Sequence, residues 1–239
     1  MEAEYNIADF RRPDPGNAAE ALAHVDIQPA LRVGMPASDF DLESVDGGRI
    51  RLSDVLKERH AVLIFGALTS PVTATNLPEL NHLWEYFHWR PVQFLFVYAR
   101  EPHPGEVYPH HTSMEQKVSA ARELQRLEEV RFPVLVDELD GRVHRAYGAR
   151  PNPLFVVSRN GRLVYRSGHA EPIPLRDYLE QLLLWDQVEA AGLPTHIVYT
   201  EQLRFMIPDG PLHKKIVRRA GPKAVREMQA SFGAQSHLT

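Results

Sequence analysis

Two kinds of apolar pattern alternate along this chain. Uninterrupted runs give way to stretches in which apolar residues recur every three or four positions, which predicts strands separated by helices. Residues 61–65 (Ala61-Val62-Leu63-Ile64-Phe65) carry no polar side chain, as expected for a strand covered on both faces. Residues 92–98 and 132–136 repeat the signal. Between the first two runs, Leu77, Leu80, Leu83, Trp84 and Phe87 share a helical face. Between the second and third, Ser113 is placed to cap a helix in which Val118, Ala121 and Leu124 align. Two hairpins bracket this core. Asp46-Gly47-Gly48 separates the runs at 40–42 and 50–52, and Arg159-Asn160-Gly161 separates 154–157 from 163–165. Ser53 or Asp54 would cap a short helix after the first hairpin, and 175–185 reads as a closing helix.

The coarse order is therefore two strands, a helix, three strands each separated from the next by a helix, a terminal hairpin and a last helix. Strands alternating with helices predict an α/β fold with a mixed, mainly parallel sheet and helices on both faces, the hairpins adding antiparallel edges. This domain spans 31–185. Residues 1–30, acidic and turn-rich around Pro13-Asp14-Pro15-Gly16, read as an N-terminal arm with at most a short helix at 18–25. Residues 186–239 read as a helical, basic C-terminal extension. There Ile216, Val217, Ala220, Ala224 and Met228 form an apolar stripe beside Lys214, Lys215, Arg218, Arg219, Lys223 and Arg226.

Composition narrows the function classes. A net charge of -4 does not suggest a nucleic-acid partner. No stretch approaches the roughly 18 apolar residues of a membrane span. The acidic N-terminus has no apolar signal core, so a cytoplasmic location is the expectation. The chain contains no cysteine, so it has neither a thiol nucleophile nor a disulfide.

That absence matters because of Phe65-Gly66-Ala67-Leu68-Thr69-Ser70-Pro71, a buried strand running into a tight turn with a helix behind it. In register with it stand Tyr98-Ala99-Arg100-Glu101-Pro102-His103-Pro104, then Pro109-His110-His111-Thr112-Ser113 with Lys117-Val118-Ser119-Ala120-Ala121-Arg122. Val134-Leu135-Val136-Asp137 and Ala146-Tyr147-Gly148-Ala149 follow. Together these motifs resemble the iodothyronine deiodinases and their bacterial redoxin relatives over most of residues 31–170.

The resemblance implies a thioredoxin-like fold and oxidoreductase chemistry on a thiol, peroxide or halogenated aromatic substrate, with a small-molecule substrate and a thiol reductant as partners and no cofactor. It puts Ser70 at the position of the reactive cysteine or selenocysteine. It implies supporting roles for Glu101 and His103, proton relay for His111, and substrate contacts for Thr69, Tyr98 and Pro153. An arginine of the family's substrate site falls near Pro153 here.

Read without the resemblance, Ser70 is a helix N-cap, for which serine is well suited. A serine hydroxyl stays protonated at neutral pH and has no sulfenic or disulfide state, so the chain as written reads as redox-inert. A serine hydrolase would need His103 or His111 as its base. Pro153, just ahead of a strand, is expected to be a cis-proline facing the turn. Glu101, His103 and Ser70 are expected to line one cavity at the rim of the sheet, with Pro153 across from them. Glu101, His103, His110 and His111 fall within eleven residues but match no standard metal spacing, so no metal is expected.

Overall fold

A computed structural model of the chain describes residues 31–200 and 210–232. The expected N-terminal arm and its helix at 18–25 lie outside the described residues. Seven strands build one sheet: β1 (Asp41–Ser44), β2 (Arg49–Arg51), β3 (His60–Gly66), β4 (Val92–Tyr98), β5 (Val134–Val136), β6 (Leu154–Val157) and β7 (Leu163–Ser167). Their spatial order is β2-β1-β5-β4-β3-β6-β7.

Only β3–β4 and β4–β5 pair in parallel, while the other four pairings are antiparallel. The expectation of a mainly parallel sheet is corrected accordingly: the parallel part is its centre. The crossovers through helices sit where the alternating pattern puts them. The reversal comes from β6, which inserts antiparallel beside β3, and from β1 beside β5.

The period of two along the central strands sends side chains to two cores. Val62, Ile64, Phe94 and Phe96 pack under α2 (Pro71–Phe87), α3 (Met114–Leu127) and α5 (Pro172–Ala190). Leu63, Phe65, Leu95 and Val97 pack under α1 (Leu52–Val55) and α4 (Arg142–Ala146). All seven residues of β3 are buried, which is why that run shows no alternation.

Helix starts follow local chemistry. Ser70 caps α2 and Ser113 caps α3, each accepting the N–H three residues on. In contrast, α1 is not capped by Ser53 or Asp54. Its cap position is Arg51, and the Asp39 carboxylate accepts the Ser53 N–H at 2.9 Å from fourteen residues upstream. The five-residue α4 is too short to show a period in the sequence; Asp137 caps it from the end of β5, accepting the N–H groups of Val143 and His144.

At one edge of the sheet β2 is three residues long, and its Arg49 and Arg51 both reach back to Asp41, at 2.9 and 3.1 Å. The C-terminal extension forms α6 (Gly210–Ala220) and α7 (Pro222–Phe232), broken at Gly221, whose φ of +112° suits glycine. Val217, Ala220, Ala224 and Met228 bury the predicted stripe against Tyr108, and α6 lies against α2.

Candidate functional site

The site lies where β3, β4 and α2 meet. β3 ends at Gly66, and the chain must turn at once over Phe96 and Thr73. A Cβ on Gly66 would lie 2.8 Å from the Phe96 ring and would also strike Thr73 Oγ1, so this glycine is required by close approach rather than by its φ. Ala67, Leu68 and Thr69 complete the turn, and Pro71 opens α2 with φ already set.

Ser70 stands at the N-cap and is 1% exposed. Its Oγ accepts the Thr73 N–H at 3.2 Å and donates to Asn152 Oδ1 at 2.6 Å. The same amide oxygen accepts the Thr73 hydroxyl at 2.9 Å. The hydroxyl at position 70 therefore has its proton on an amide carbonyl, which is no base.

Beside it, Thr69 is tied to Glu101, which follows β4. Glu101 Oε2 accepts the Thr69 N–H at 2.8 Å and its hydroxyl at 2.6 Å. The Tyr98 hydroxyl donates to the other carboxylate oxygen, Oε1. His111 Nε2 lies 4.0 Å from that same oxygen, and its ring sits 6.0 Å from that of Tyr98. The backbone N–H of His103 donates to Thr69 Oγ1 at 3.2 Å. Thr69, Glu101 and His111 are all buried. Although part of His103 remains at the surface, burial pushes its imidazole down to about 4, with repulsion from His213 adding to the effect. His103 is thus a neutral ring at ordinary pH.

Thr69, Ser70, Tyr98, Glu101, His103 and His111 accordingly come together in one cluster at the C-terminal ends of β3 and β4. Two expectations are corrected. There are no cis peptide bonds among the described residues, so Pro153 is trans. Its carbonyl accepts the Phe65 N–H at 3.0 Å as part of the sheet, and the residue that reaches Ser70 from across the turn is its neighbour Asn152. In addition, Ser70 and Glu101 are packed shut instead of lining an open cavity. A gap beside α2, lined by Thr73, Asn76 and Asn152 among apolar residues, has no room for a water molecule.

Sequence reasoning does not find Asn152, Thr73 or His213. Thr73 is accessible to it as the third residue after a capping serine. Asn152 and His213 are far from Ser70 along the chain, and nothing local marks them. Among the described residues, no group of three or more His, Asp or Glu side chains is arranged to hold a metal ion. No helix there is long and apolar enough to cross a membrane.

Comparisons with known proteins give the family and the fold. The chain is 30% identical over 163 residues to thyroxine 5-deiodinase of Rattus norvegicus, covering 62% of this chain and 53% of the relative. It thus spans about half the length of that deiodinase. Its fold resembles the thioredoxin domain of a thiol-disulfide oxidoreductase from Bacteroides vulgatus, with a TM-score of 0.51 at 14% identity over 64% of this chain and 98% of the other. It also resembles a yeast mitochondrial 1-Cys peroxiredoxin, with a TM-score of 0.51 at 16% identity over 66% and 79%. The model of the AhpC/TSA family matches residues 33–166, more than half of the chain. That segment holds every residue of the cluster, Asn152 and Thr73 included, and leaves out only His213 on α6. With a thioredoxin-like α/β fold and that match, this chain is a member of the AhpC/TSA family.

Proposed function

We propose that the Thr69–Ser70 turn is the reactive position of a deiodinase-like redoxin in which a hydroxyl stands where the redox atom would be. The chain as written then acts as a redox-inert binding module. With sulfur or selenium at position 70, the same site would serve an oxidoreductase acting on a thiol, peroxide or halogenated aromatic substrate with a thiol reductant. The observation that carries this reading is the commitment of Ser70 itself: its Oγ is held by the Thr73 N–H and by Asn152 at the N-terminus of a seventeen-residue helix. That position lowers the energy of an anion, which a thiolate would exploit and a serine at neutral pH does not. Beside it, hydroxyls of Thr69 and Tyr98 on Glu101, with His111 next to them, offer a route for a proton leaving or reaching the turn. A serine hydrolase is disfavoured, because the Ser70 proton rests on an amide oxygen and not on an imidazole.

The test is Ser70→Cys, alkylated with iodoacetamide across pH. The introduced thiol is expected to ionise below the free value of about 8.5. The unaltered chain is expected to show no dithiol-dependent turnover of peroxide or of a halogenated aromatic. An introduced thiol ionising at or above the free value, or turnover by the unaltered chain, overturns the proposal.

A further inference from the structure

The helices α6 and α7 lie outside the family segment, yet they are fastened to the loop that carries the site. A Cβ on Gly105 would sit 2.6 Å from the carbonyl carbon of Ala220, at the end of α6. The Val107 N–H donates to the Ala220 carbonyl at 3.0 Å. The Glu106 carboxylate accepts the Lys223 N–H at 2.8 and 3.0 Å at the start of α7, with Arg226 3.5 Å away. Arg219 pairs with Glu128 at 2.7 Å. The contacts of Gly105, Glu106 and Val107 hold the hairpin on the segment just after Glu101, and the Arg219–Glu128 pair ties it to the end of α3. They also bring the ring of His213 to 6.4 Å from that of His103, and the backbone N–H of His103 donates to Thr69 Oγ1. The path from the hairpin to the residue next to Ser70 thus runs from His213 to His103 and from His103 to Thr69. Charge on both rings at that separation is disfavoured, so the state of the His103 ring depends on the hairpin that carries His213.

We propose that the α6–α7 hairpin is the cover of the site and that His213 is a positioning residue within it, holding His103 in its shielded place beside the Thr69–Ser70 turn. Docked, the hairpin keeps position 70 closed; displaced, it opens it to solution. The inference rests on the reading of position 70 as the reactive position. The titratable group facing the His103 ring from α6 is His213; from its own segment, Glu101 meets the same Thr69 hydroxyl that accepts the His103 backbone N–H, with His111 4.0 Å from the Glu101 carboxylate.

The experiment uses the full chain and two readouts. The first is an NMR titration of the His103 ring, expected near 4 in the intact protein. Val217→Asp, which puts a charge in the buried hairpin interface, should move the midpoint toward the ordinary value of about 6.5. His213→Gln, which keeps a polar side chain but removes the second imidazole, should move it part of the way. The second readout is iodoacetamide alkylation of Ser70→Cys, in which the thiolate displaces iodide and a thioether forms. Its rate should rise at least tenfold when Val217→Asp is added. Gly105→Ala, a one-carbon wedge against α6, repeats both measurements if Val217→Asp does not fold. An unmoved His103 midpoint, or an alkylation rate indifferent to the hairpin in a folded variant, overturns the cover. If the Ser70→Cys thiol is freely reactive with the hairpin displaced but ionises at the ordinary value, the reading of position 70 alone is overturned, and the cover stands.

Discussion

Two carboxylates, both fully buried, sit at the same rim of the sheet and do different work. Asp137, after β5, accepts three backbone N–H groups, from Glu138, Val143 and His144 at 2.8, 3.1 and 2.8 Å, all within the next seven residues. Glu101, after β4, accepts one N–H and two hydroxyls, from Thr69 and Tyr98, with His111 beside it. Backbone amide protons stay where they are, so Asp137 fixes the chain into α4. Hydroxyl and imidazole protons exchange along a network, so Glu101 is equipped to move charge toward the turn. What each carboxylate touches, and not its burial, separates scaffold from chemistry.

The comparison breaks most visibly if Asp137 proves dispensable. Asp137→Ala leaves three N–H groups, two of them buried, without acceptors, and urea unfolding should show a loss of about 3–5 kcal/mol. A loss below about 1 kcal/mol would mean that α4 caps itself. Acid should act next, through His144. Burial pushes this histidine down to about 3, with the Arg150 carbonyl opposing the shift, against about 6.5 in the unfolded chain. Its contribution is fully present above about pH 6.5 and is lost as pH falls toward the folded value, because the unfolded state takes up the proton first. Between about pH 6.5 and 5 the loss should be about 2 kcal/mol. His103 adds in the same direction, while Asp137, raised by its burial, opposes it at lower pH. His144→Phe, which keeps a ring against Phe65, should flatten that dependence; a profile as steep as before assigns it elsewhere. Glu101→Gln should have the smallest effect on stability, about 1–2 kcal/mol, yet in a Ser70→Cys background it should shift the thiol's ionisation, which Asp137 variants should leave alone.

Much of this is written in local pattern. β3 shows as an unbroken apolar run because both of its faces are covered, and the two serine caps show because a cap is a three-residue event. The stripe from Ile216 to Met228 shows for the same reason, although Gly221 divides it into two helices. What is not legible depends on distance. Residues 154–157 read the same whether β6 runs parallel or antiparallel beside β3, so the polarity of the sheet stays hidden. α4 exists because Asp137 organises it, and five residues carry no period. At the site, Ser70, Thr69, Glu101 and the histidines are marked by their motifs. Asn152, which holds the Ser70 proton, is masked by the proline after it, and that proline is trans, its carbonyl engaged in the ladder with Phe65.

The brevity of β2 has a bearing on how the molecule behaves in a crowd. An edge strand is an open template, and a long flat one recruits further strands into fibres. This edge offers three residues of ladder, two of them arginines turned back onto Asp41. A neighbouring chain that tried to extend the sheet there would have to break those pairs and bury cations to gain a few hydrogen bonds, so during refolding at high concentration this side of the sheet terminates growth.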